Sequence, residues 1–186
     1  MTTGIDHDRR RLLGATAVAG IALLGAGGCQ ARDALPRTLA FASLDEAAGE
    51  LARMAQAPAL DAAPGWSWAQ TLVHCAQSIE YSLAGFPVMK PALFRRTVGP
   101  AAFRAFAWRG RMSHDLAEPI PGAPALAPAQ DVAIATARLQ GALQAFRQAT
   151  GPLRPHFAYG ELSKAEYELA HALHLANHFS AFMPRA

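Results

Sequence analysis

Cysteine is scarce in this chain of 186 residues, which has only Cys29 and Cys75. Two cysteines cannot build the disulfide framework that holds small secreted domains together, so the fold has to rest on a packed core. Charge is also scarce, at 17% of residues against 52% apolar ones, and that balance excludes an intrinsically disordered chain. The 17 Lys and Arg residues exceed the 14 Asp and Glu by three, too small an excess to argue for nucleic acid. Alternating strand-like patterns are nearly missing, and there is no glycine-rich phosphate loop and no internal repeat. What remains is one helical domain of ordinary length.

The start of the chain has a different composition from the rest. Arg9, Arg10 and Arg11 precede an uncharged apolar stretch that ends in small residues at Cys29. That is the three-part layout of a bacterial export signal. The arginines followed by Leu12 and Leu13 resemble a twin-arginine signal, and Ala26-Gly27-Gly28-Cys29 resembles a lipoprotein cleavage box, with Ala26 where Leu is usual. From Leu12 to Gly28 there are 17 residues with glycines among them, short of the roughly 20 predominantly apolar residues of a membrane span. Residues 1–29 are therefore expected to be a cleaved signal and Cys29 a lipidation site. The protein would then be exported, periplasmic or in the cell envelope, and attached to the membrane by lipid. Removal of three Arg and two Asp leaves residues 30–186 with 14 basic and 12 acidic side chains. Twin-arginine export carries folded proteins, often with a cofactor already loaded. Cys75 is expected to be a buried, inert thiol.

Residues 30–42 are expected to be a tether. Ser43-Leu44-Asp45-Glu46 has the pattern of a capping box and opens a helix to about Gln56. Trp66-Ser67-Trp68 opens a second helix, carried to Leu83 and stopped by Gly85 and Pro87, with Leu72, Cys75, Ala76, Ile79 and Leu83 on one stripe. Residues 91–108 read as helical pieces broken around Gly99-Pro100. Four prolines between Glu118 and Pro128 indicate an extended strap. A long helix follows from about Ala129 to Thr150, with Val132, Ala135, Leu139, Ala142, Leu143 and Phe146 buried. Ser163-Lys164-Ala165-Glu166 opens the last helix, to about Phe182. The expected fold is all-α, a four-helix bundle with one long crossover connection.

Three histidines, His171, His174 and His178, lie within one turn or two of each other on one face of that last helix. Two imidazoles at i and i+4 can reach one metal ion, and the site needs further ligands from a neighbouring helix. His74, in the second helix, is placed to supply one. Its face, however, carries Gln70, Thr71, Gln77, Ser78 and Tyr81, opposite the apolar stripe. The expectation that reconciles the two is a polar stripe lining an open cleft between helices.

WSWAQTLVHCAQSIEYSLAGFP and PHFAYGELSKAEYELAHALHLANHF, with the chain around them over about residues 43–183, resemble the DinB-like (YfiT-like) superfamily of metal-binding four-helix bundles, within a branch of unknown function. The resemblance implies a metal site made of His74, His174 and His178. It places His171 behind these ligands or facing substrate. His156, which also matches the branch, is weighed evenly between a pocket role and a loop cap. Three neutral imidazoles leave an open coordination position, which suits zinc first and also nickel or iron. Related bundles are thiol-dependent transferases, isomerases or hydrolases. The implied function is therefore a metal-dependent hydrolase or thiol transferase acting on a small molecule or thiol. The alternative is a non-catalytic envelope protein that keeps the bundle as a binding or structural module. Gln77 and Tyr81, one and two turns from His74, are expected to line the pocket.

Lys90, Arg95, Arg96, Arg104, Arg109 and Arg111 form a basic strip without an acidic residue, interleaved with Phe94, Phe103, Phe106 and Trp108. The strip reads first as a solvated face, then as a contact for an anionic substrate or lipid headgroup. His114, just beyond it, is expected to be structural or exposed. Expected partners are a small molecule or thiol, the membrane through a lipid anchor, and a second copy of the chain as a homodimer; nucleic acid is not among them.

Overall fold

A computed structural model describes residues 37–185. The expected signal, including Cys29, and the first part of the tether lie outside those residues. Six helices and one two-stranded ribbon make up the described chain, in the order α1 (Leu44–Ala55), β1 (Leu60–Ala62), α2 (Trp68–Ala84), α3 (Ala92–Arg96), α4 (Val98–Arg109), α5 (Val132–Gln148), α6 (Lys164–Phe179) and β2 (Phe182–Pro184). The fold is mainly helical. No described helix is long and apolar enough to cross a membrane.

Serines set the helix starts. Ser67 accepts from the N–H of Gln70 and Ser163 from that of Glu166, and each partner side chain reaches back to the cap's own N–H, so both form complete capping boxes. At Ser43 only the first half forms, because Glu46 reaches one residue further, to the N–H of Ala42. The carbonyls at the end of α5 are met by Lys164, whose ammonium donates to Arg147 and Ala149. The break before α4 falls at Thr97 rather than at Gly99-Pro100. Pro100 sits in the first turn of α4, where a missing N–H costs no helical bond.

Among the four longest elements, α2 packs on α5 and α6, and α1 packs on the same two helices. Leu72, Cys75, Ala76 and Ile79 meet Ala135, Leu139, Ala142, Leu143 and Phe146 in one core, and α1 adds Leu44, Ala47, Leu51 and Met54. Val132, expected in that core, is exposed, because it is the first residue of α5 and stands before the helix reaches its neighbours. The chain ends differently from expectation. Instead of continuing to Phe182, α6 stops at Phe179, and β2 pairs antiparallel with β1, Leu60 opposite Pro184 and Ala62 opposite Phe182. Residues 37–42 lie against this end: Leu39 donates its N–H to Ser180 Oγ, Arg37 pairs with Glu50, and Phe41 is buried with its ring edge-on to Phe179.

The polar face of α2 is not open. Residues 113–131 form an extended strap with Ile120 buried, and the strap lies along that face. The Gln70 amide donates to the carbonyl of Leu126 and the Gln77 amide to that of Pro124. Thr71, His74, Gln77 and Ser78 are consequently buried.

Candidate metal centre and cavity

His174 and His178 are neighbours on one face of α6, and α2 carries His74 to the same point across the helix interface. The three ligand nitrogens lie within 4.8 Å of one another. His74 Nε2 and His174 Nε2 are 3.2 Å apart. Two nitrogens bound to one tetrahedral zinc at about 2.0–2.1 Å would be separated by roughly 3.3 Å, so the spacing matches a shared ion.

Burial drives all three imidazoles to the neutral form that metal ligation requires. It pushes His74 down to about 3, with the neighbouring His114 adding to the effect, and holds His174 and His178 well below the usual range for histidine. His178 Nε2 is buried without a hydrogen-bond partner among the described residues. An orphaned buried nitrogen costs about 1–3 kcal/mol, and a bound cation would satisfy it. The donor set, its spacing and this orphaned atom fit a divalent metal ion. His74 Nδ1 departs from the usual arrangement, in which a ligand's second nitrogen is held by an acceptor, since it too has no partner among the described residues.

Two residues complete the cluster that were not expected there. His114, expected to be structural or exposed, stacks on His174 with ring centroids 5.2 Å apart and lies 5.0 Å from His178. Its Nδ1 is 2.8 Å from the carbonyl of Asp115, so Nδ1 carries the proton and Nε2 keeps its lone pair. The Trp66 ring lies 4.8 Å from that of His74 and is parallel to that of His178 at 6.2 Å. No periodic spacing links either residue to the helices that carry the ligands. Only the histidine composition of the loop and the proximity of Trp66 to α2 pointed toward them.

A cavity of about 190 Å³ opens from this cluster. His74, His114 and His174 form one part of its wall, and His156, Tyr159 and His171 another, with Phe106, Met112, Ile120 and Phe157 among the apolar surfaces. His171 packs between Tyr167 and Phe146, and burial holds it down to about 3. Gln77 and Tyr81 do not line the cavity. The Gln77 amide is occupied by the strap, and the Tyr81 ring turns to Phe86, 5.7 Å away. Cys75 is buried in the core on the opposite side of α2, and burial pushes its thiol far above the usual range. It has no role in the cluster.

No curated protein and no solved structure matches the chain. A family does: over residues 34–185, which hold every described helix and all the histidines of the cluster, the chain belongs to the family described as a protein of unknown function, DUF1569.

Proposed function

We propose that this chain is an exported metal-dependent enzyme with a DinB-like four-helix bundle, in which His74, His174 and His178 hold a divalent ion. The observation that carries the reading is the convergence of three neutral imidazoles on one point at the wall of a cavity. The ring of packing in which α1 and α2 each touch α5 and α6 supports the bundle, with residues 85–131 as its crossover. Zinc suits the nitrogen donors best, and nickel and iron also accept them. When bound, such an ion lowers the pKa of a coordinated water or thiol and supplies an anionic nucleophile at neutral pH.

The protein's own residues shape what happens there. Trp66 covers His74 and His178 and excludes water from that side. His114 presents an acceptor nitrogen beside His174, where a proton leaving the nucleophile can be received. The apolar walls favour a small organic substrate or thiol. Attachment to a membrane through Cys29 belongs to the same reading. It is supported by a solvent-facing row on α4, Val98, Ala101, Ala105 and Trp108, flanked by Arg104 and Arg109.

Elemental analysis of the purified chain, beside His174→Ala, tests the site. About one metal ion per chain is expected in the wild type and close to none in the variant. Near-zero metal in both would sink the assignment.

A further inference from the structure

We propose that the His156 end of the cavity is a carboxylate-binding subsite, in which His156 Nε2–H and Lys90 receive the acid group of a small ligand with an apolar body. This rests on the reading of the cavity as the substrate site and names the class of substrate.

His156 is a donor held in place. Its Nδ1 accepts from the N–H groups of both Ala158 and Tyr159, each at 3.1 Å. A ring nitrogen that accepts carries no proton, so the proton of the neutral ring is on Nε2. The backbone beneath it is closed by two bonds with Gly160, at 2.8 and 3.1 Å, and the ring stacks on Tyr159 at 4.2 Å. Among the described residues Nε2–H has no acceptor, although the side chain is 8% exposed and lines the cavity. His171, 2% exposed and in the same wall, packs its ring beneath this end, with its Nε2 sealed from the cavity and without a partner among the described residues. The Nε2–H of His156 is the one polar group of that ring left unused, and an acceptor entering the cavity would meet it.

Charge selects the kind of group. The N–H of Lys90 donates to the carbonyl of Phe157, the residue after His156, and Lys90 also lines the cavity, with its exposed ammonium 5.9 Å from the centre of the Phe94 ring and free to turn inward. The acidic residue of the wall, Glu118, acts on His114, at the metal end. In the chain without metal, Lys90 thus draws an anionic head to the His156 end and Glu118 repels it from the other, with Glu161, which acts on Tyr167, opposing Lys90 in part. Along α6 the subsite lies one to two turns from His174, at the level of His171 and Tyr167, the latter 6.1 Å from His156 by ring centroids. At 1.5 Å per residue this is roughly 5–10 Å, the reach of a short aliphatic acid whose other end meets the metal centre.

Calorimetric titration of hexanoate and of hexan-1-ol into the chain, stripped of metal by a chelator, tests the subsite. Hexanoate is expected to bind about tenfold more tightly than the alcohol. His156→Asn keeps an oxygen to accept from Ala158 and Tyr159 but removes the Nε2 donor, and should reduce hexanoate to the affinity of the alcohol. Lys90→Gln, at the surface and outside the core, should weaken hexanoate several-fold and leave the alcohol unchanged. Equal affinities in the wild type, no binding of hexanoate at millimolar concentration, or a preference that survives both substitutions would overturn the subsite. A preference for hexanoate in a chain that carried no metal when purified, before the chelator, keeps the subsite and removes the metal reading, whereas metal at purification without the preference does the reverse.

Discussion

Gly99 stands where α4 passes closest to the backbone of Ala158 and Tyr159. A Cβ there would fall inside the contact distance of the Ala158 carbonyl oxygen, which is backbone and cannot swing away. Gly160, at φ +79°, faces the Arg95 carbonyl in the same crowded contact. Together they let α3 and α4 close on the His156 loop. Gly99→Ala is expected to cost about 3 kcal/mol, the upper end of overpacking, read as a lowered unfolding midpoint in urea. The buried histidines set a second residue-level property. His156 and His171 are held down to about 3 by burial, His156 also by the presence of His171, whereas an unfolded histidine titrates near 6.5. Between those values the unfolded chain takes up protons that the folded chain refuses, so stability falls as pH drops from about 6.5 toward 3. The slope is up to about 1.4 kcal/mol per pH unit for each histidine. Urea midpoints at pH 7.5, 6 and 5 should decline in that order, and His171→Phe, which can pack against Phe146 and Tyr167, should make the decline shallower. A midpoint unchanged from pH 7.5 to 5 would contradict this account.

At the scale of elements, the strap decides the character of α2. A proline-rich segment has backbone carbonyls that find no partner in a ladder or helix, and they need donors if the segment is to lie on the protein. Gln70 and Gln77 provide them. Replacing both glutamines by alanine should cost about 1 kcal/mol for each bond and speed hydrogen exchange at the amides between 114 and 127. Protection within α1 and α5 should hold, and unchanged exchange in the strap would mean that the glutamines do not hold it. The helices themselves were largely legible in the sequence, because Ser43, Ser67 and Ser163 each act on the N–H group three residues away. The burial of the polar stripe was not legible, since amphipathic periodicity cannot tell water from the polar backbone of a remote segment.

For the whole molecule, the β1–β2 ribbon ties the entry to α2 to the exit from α6. The N–H of Ala63 donates to the carbonyl of Ala181, and Asp61 pairs with Arg185. The tie fixes the loop that carries Trp66 over His178. Three-residue strands with no alternating pattern are invisible before the two ends meet. The chain as exported should begin at Cys29, carry lipid there, and sediment with membranes until detergent releases it, whereas Cys29→Ala should not. Mass spectrometry of the mature N-terminus checks this, and an intact Met1 or Thr2 on exported material would refute it.

Local chemistry determined what could be read directly from the chain: the starts of α1, α2 and α6, the core stripe of α5 from Ala135 onward, and the i,i+4 pair of His174 and His178. Each depends on contacts a few residues apart, and these follow from helical geometry alone. Tertiary structure decided the rest. It brought His74 within 3.2 Å of His174 across 100 residues, swung His114 and Trp66 onto the cluster, and moved Gln77 and Tyr81 away from the cavity. Those outcomes depend on which face of each helix is covered and by what, and covering a face is a property of the packed chain rather than of any segment within it.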